Sequence, residues 1–120
     1  MKKTLAAFLS IALTTSLSAT ASAQSLTFMI DNEYTKDVKI EFYSTERNHV
    51  WPGNGEVYVL GPSDGTMSYP LSCRTDELIC FGAWTEGNRD SWGVGREMEF
   101  DCTDCCATCS GQTIEDIILN

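Results

Sequence analysis

The sequence predicts an all-β fold, a small antiparallel β-sandwich or flattened barrel stapled by disulfides. Three observations carry that expectation. Apolar and polar residues alternate with a period of two in several short segments, turn-forming residues separate those segments, and no window sustains the 3.6-residue period of a helix. All six cysteines, Cys73, Cys80, Cys102, Cys105, Cys106 and Cys109, fall in the later part of a 120-residue chain, so the first half of the domain is expected to cohere by apolar packing alone.

The N-terminus comes first because it sets the compartment. Lys2 and Lys3 precede an apolar run from Leu5 to Leu17, and Ala21-Ser22-Ala23 supplies a small-x-small cleavage pattern. Those parts in that order describe a secretory signal over residues 1–23, and the run is short for a membrane span of ~20 residues. The first cysteine is Cys73, which excludes lipid attachment at a processed N-terminal cysteine. The remainder, 24–120, is expected to be a single β-domain with a cysteine-dense C-terminal segment, located in the periplasm or secreted, and monomeric.

Two of the eight basic residues leave with the signal and none of the seventeen acidic ones do, so the formal charge moves from −9 to −11. Such a surface repels phosphate backbones and anionic lipid, which argues against nucleic-acid binding and against docking on or inserting into a membrane. It permits cationic partners or divalent ions, and it favours solubility. A domain of this size has a thin stability margin, which disulfides in an exported chain widen by constraining the unfolded state.

The segments then read in order. In LTFMID, Leu26, Phe28 and Ile30 face one way; in VKIEFYS, Val38, Ile40 and Phe42 do the same, with the polar DNEYTKD between them as a connection. WPGNGEVYVL brings Pro-Gly and Asn-Gly turns into a strand from Val57 to Leu60, and GPSDGT turns again. MSYPLSC places Met67, Tyr69, Leu71 and Cys73 on one face, and Pro70, which has no N–H to donate, makes it an edge or bulged strand. LICFGAW is continuously apolar and reads as a central strand. REMEFDC alternates, with Met98, Phe100 and Cys102 together, and reads as another strand. TIEDIILN is read as a closing strand rather than a helical turn.

The stretch DCTDCCATCS admits three chemistries. As zinc knuckles, its two C-x2-C units abut with no spacer, which would strain the backbone around one tetrahedral ion, and export exposes thiols to oxidation. As a redox motif, it lacks the helix N-terminus that depresses a thiol pKa, and Asp101 and Asp104 act the other way. Structural disulfides are the favoured reading. Cys73 and Cys80 either bridge each other across RTDELI, if that is a tight hairpin, or reach individually into the C-terminal cluster. Cys105 and Cys106 are expected to take different partners, since a bridge between neighbours strains the intervening peptide.

Other chemistry is sparse. His49, the single histidine, reads as a turn residue, and no Ser/His/Asp or Cys/His arrangement forms around it. Glu97, Glu99, Asp101 and Asp104 follow no EF-hand spacing and read as a solvated strand face. Trp51, Trp84 and Trp92 each neighbour glycine or proline at a loop or strand end. Exposed there, they are candidate binding residues that stack on sugars or anchor a protein; buried, they cap the sandwich core. No catalytic residue, metal site or cofactor is assigned.

The succession FYS, WPG, VYVL, LSC, ICFGAW, WGVG and CTDCCATC, from Phe42 to Cys109, resembles a group of small exported bacterial proteins of unassigned function. That resemblance implies export and no catalytic residues. IDNEYTKDVKIEFYS and WGVG are more distantly similar to thaumatin-like β-sandwiches. The expected function is a non-enzymatic domain that binds a protein or a glycan through loop aromatics, or serves the cell envelope. The alternative is a periplasmic thiol protein handling zinc, copper or electrons through the C-terminal cysteines.

Overall fold

A computed structural model describes residues 10–14 and 24–120. The expected signal, residues 1–23, lies outside the described residues except for 10–14, which carry no regular secondary structure. Nine strands form among the described residues: β1 (Gln24–Asn32), β2 (Val38–Ser44), β3 (Val50–Trp51), β4 (Tyr58–Leu60), β5 (Thr66–Cys73), β6 (Leu78–Trp84), β7 (Ser91–Gly93), β8 (Cys106–Thr108) and β9 (Thr113–Leu119). The fold is all-β and disulfide-stapled, as the alternation predicts.

The strands form two sheets. The first has the order β5-β1-β9, and the second is built on the central pair β2-β6. Each edge of the second sheet is divided between two short strands. β4 pairs with the first half of β2 and β3 with its second half, while β8 and β7 divide β6 in the same way. Pairing is antiparallel apart from β1 with β9, which is parallel and shifts register between Phe28 and Ile30. A parallel closing strand is not legible from alternation, because both pairings present the same two faces.

The core lies between the sheets. Leu26, Phe28 and Ile30 of β1 and Val38, Ile40 and Phe42 of β2 are at most 1% exposed, and the Phe28 and Phe42 rings stack at 4.9 Å. Tyr69 and Leu71 of β5 and Ile79, Phe81 and Ala83 of β6 complete it. Asn32 ends β1 inside this core. Its amide donates to the Lys36 and Leu60 carbonyls while its Oδ1 accepts from the Tyr34 N–H, which satisfies a buried polar group at the chain's crossing to the second sheet. Pro70 sits on the outer strand β5, where a missing N–H costs no ladder bond and discourages edge-to-edge pairing.

β6 is buried on both faces from Ile79 to Trp84, which explains its unbroken apolar run. Its outer face carries Cys80, Gly82 and Trp84, and the segment following β7 folds back over it. The Val94 N–H donates to the Phe81 carbonyl at 3.0 Å, and the Phe100 N–H to the Val94 carbonyl at 3.0 Å. Gly82 allows this approach: a Cβ there would overlap the Gly95 carbonyl and press on the Tyr43 ring. Gly82→Ala is therefore expected to destabilise the fold by roughly 1–3 kcal/mol through overpacking against backbone, read as a lower midpoint in urea at unchanged slope.

One expectation needs correction, and one of two open alternatives falls away. REMEFDC is not a strand: Arg96–Met98 is a 3-10 turn, and Glu97 and Met98 take left-handed φ values of 56° and 57°, which break a period-two ladder. RTDELI is not a hairpin within one sheet. β5 and β6 belong to different sheets, so the turn carries the chain across the sandwich and Cys73 does not face Cys80.

Candidate functional site: an open polar groove beside a disulfide clasp

The structure pairs all six cysteines, as Cys73–Cys109, Cys80–Cys106 and Cys102–Cys105. Cys73 and Cys80 thus each reach into the C-terminal cluster, and the neighbours Cys105 and Cys106 take different partners. Cys80 and Cys106 are directly opposite on β6 and β8. Cys109 is wholly buried and fixed by backbone bonds, donating to the Glu77 carbonyl at 2.8 Å and accepting from the Asp76 N–H at 2.9 Å. Disulfide formation leaves no thiolate among these sulfurs for a metal ion.

The tryptophans separate into two kinds. Trp51 and Trp84 are 8% and 4% exposed, and the Trp51 indole N–H donates to the Ser72 carbonyl at 3.0 Å. Trp51 packs into the apolar core, while Trp84, though nearly buried, borders a depression with Lys39, Glu41 and Arg96. Trp92 is half-buried. Its ring meets Tyr34 edge-on at 5.1 Å, and its N–H donates to the carbonyl oxygen of Asn120 at 3.1 Å. The Tyr34 hydroxyl donates to Asp90 at 2.6 Å, and that carboxylate raises the phenol's pKa.

The outer face of β2 forms the floor of an open groove of about 720 Å³. Glu41 and Tyr43 project from β2, which alternates so that these two point away from the core. His49 and the turn over Gly53, Asn54 and Gly55 form one wall, with left-handed φ at all three turn residues, as a Pro-Gly and Asn-Gly sequence allows. Asn48, Val50, Pro52, Glu56 and Glu97 complete the lining. A further depression bounded by Lys39, Glu41, Arg96 and Glu97 continues the groove toward Asn88 and Glu99.

Glu97 reaches this position through the left-handed backbone that removed it from a strand. Its N–H donates to the Tyr43 hydroxyl at 2.9 Å. Burial pushes the Glu41 carboxyl above its ordinary value, Glu97 pushes it further, and Arg96 opposes both. Burial also raises the Tyr43 phenol to about 12, so it stays protonated and neutral at physiological pH. The lining therefore offers carboxylates, two amides and an imidazole to a polar ligand, beside an apolar share that includes Val50 and Pro52.

One buried carboxylate escapes sequence reading. Glu77 is 1% exposed at the crossing between sheets. It accepts from the Ser44 hydroxyl at 2.6 Å, from the Arg74 N–H at 3.0 Å and from the Arg47 guanidinium, in a fork whose Nη2 arm is 3.0 Å long. Arg47 in turn lies over the Trp51 ring. Its sequence setting, TDEL, resembles a solvated turn, and the partners come from a hairpin thirty residues away.

The molecule is thus a disulfide-stapled β-sandwich with an open acidic groove on one sheet. No protein-family model, curated protein or solved structure matches the chain. Among the described residues no helix is long and apolar enough to cross a membrane.

Proposed function

We propose that this is an exported, non-enzymatic binding domain of the periplasm or extracellular space, and that its ligand is a glycan bearing amino groups, seated in the groove over β2. The observation that carries this reading is the lining itself. Glu41, Glu56 and Glu97 supply hydrogen-bond acceptors and negative charge, and Asn54 and His49 supply further polar atoms. Sugars present closely spaced hydroxyls that such groups bind, and a protonated amine gains from carboxylates that a phosphate or sulfate ester would oppose. The disulfides suit an oxidising compartment, and the resemblance to small exported bacterial proteins agrees with it. Trp92 pairs with Ala83 and so lies on the side of the sheet opposite the groove, whereas Trp84, opposite Lys39, borders the groove's extension and is the tryptophan nearest a sugar seated there.

Titration calorimetry with glucosamine oligomers, N-acetylglucosamine oligomers and oligolysine tests the reading. The glucosamine oligomer is expected to bind best, with Glu41→Gln and Glu97→Gln each weakening it roughly five- to tenfold, the loss of one charge-assisted hydrogen bond. Absence of binding to either glycan, binding indifferent to both variants, or a preference for oligolysine overturns it. The alternative, a thiol protein using zinc, copper or electrons, first requires a disulfide to open, because all six sulfurs are paired.

A further inference from the structure

One of the three disulfides lies outside every strand ladder. Cys102–Cys105 joins residues three apart around the 3-10 turn Thr103–Cys105. Cys102 is partly exposed while Cys105 is 8% exposed, so an incoming nucleophile meets the Cys102 sulfur first. The other two bonds are protected differently. Cys73 and Cys109 are 6% and 0% exposed, and backbone bonds with Asp76 and Glu77 fix Cys109. Cys80 is 1% exposed, and although Cys106 is partly exposed, the β6–β8 register returns the two sulfurs to each other after any opening. No ladder returns Cys102 to Cys105.

We infer that Cys102–Cys105 is a thiol-exchange site, reduced by low-molecular-weight or dithiol reductants while the other two bonds and the fold persist. A thiolate attacks the Cys102 sulfur and forms a mixed disulfide. The Cys102–Cys105 bond breaks, its electron pair leaves on Cys105, and that thiolate takes a proton. A second thiol then attacks the external sulfur of the mixed disulfide and releases the oxidised reagent, and Cys102 leaves as a thiolate that is protonated. Two reagent thiols become one disulfide, and one protein disulfide becomes two thiols. The exchange does not run on to Cys80, because attack by Cys105 on Cys106 would close a bridge between adjacent residues. Asp101 and Asp104 flank the bond on an acidic chain, so cationic and neutral thiols approach it more readily than anionic ones.

The disulfide-bonded protein, exposed to rising dithiothreitol, quenched by alkylation and mapped by mass, tests this. The expected first product carries two labels, on Cys102 and Cys105, at reductant on the order of tenfold below that which opens either other bond, with unchanged tryptophan fluorescence. At low salt, cysteamine is expected to open the bond several-fold faster than mercaptoethanesulfonate, with the gap narrowing as salt is added. First labels on any other pair, or all six thiols appearing together, overturn the inference. Cys102→Ser/Cys105→Ser is expected to lose the early step and keep the later ones; an early step that survives in it overturns the inference equally.

Discussion

Glu77→Ala is expected to destabilise the domain by about 3 kcal/mol, a large share of the total for a chain this small. The carboxylate ties β2, the hairpin after it and the β5–β6 crossing into one unit through Ser44, Arg47 and Arg74. Removing it leaves the Ser44 hydroxyl and the Arg74 N–H without their partner. The cost sits at the lower end of the range for broken buried pairs, because the Arg47 side chain is 26% exposed and can turn to water.

The pH dependence separates the charge from the packing. The Arg47 guanidinium, with help from Ser44 and the Arg74 N–H, holds the Glu77 carboxyl at about 2 despite its burial. In the unfolded chain the same group titrates near 4.3. The folded state therefore binds this proton less tightly, and the stabilisation is fully present above about pH 4.5 and is mostly lost as pH falls to 2, where the unfolded group is protonated and the folded one about half so. That shift corresponds to roughly 3 kcal/mol, in step with the mutational figure. Urea unfolding of wild type and Glu77→Gln at pH 7, 5, 3 and 2 should show a gap that is constant from 7 to 5 and has nearly closed at 2. A gap that persists undiminished at pH 2 would assign the effect to shape rather than charge.

The strands were legible where one face is buried and the other wet. β1 follows the two-residue period throughout and β2 as far as Phe42, beyond which Tyr43 and Ser44 are buried too; Pro70 marked the edge strand, and the unbroken LICFGAW marked the strand covered on both sides. REMEFDC shows where that logic ends. Its alternation is real, but Glu97 and Met98 both have left-handed φ, and a chain turning so at two successive positions does not continue as a strand. The consequence reaches the site, since the same turn swings Glu97 over Tyr43. How far Trp51 and Trp84 are buried was not legible, because burial depends on what folds over them, and the cover arrives from distant segments. Glu77 gave no signal for a related reason: a buried acid is recognised by its partners, and Arg47 is brought to it by the crossing of two sheets.

The other large effect belongs to the disulfide that closes the fold. Replacing Cys73 and Cys109 by alanine is expected to cost about 4 kcal/mol, whereas replacing Cys102 and Cys105 should cost less than about 2. The first bond spans 36 positions and the second only three, and the unfolded-state entropy removed by a cross-link grows with the loop it closes. Position adds to length. Cys109 lies four residues before β9, an edge strand whose ladder runs to β1 alone. Without the bond to β5, the β1–β9 ladder, the Ser110–Gln112 connection and the contacts of Ile114, Ile117 and Leu119 are left to keep β9 seated. Thermal melting is expected to fall by upwards of about 15 °C for Cys73→Ala/Cys109→Ala. Hydrogen exchange at the amides of 114–119 should quicken before that of β2 and β6. Equal losses in the two double variants would mean that neither loop length nor the seating of β9 governs the stabilisation, and that the bonds act through local packing.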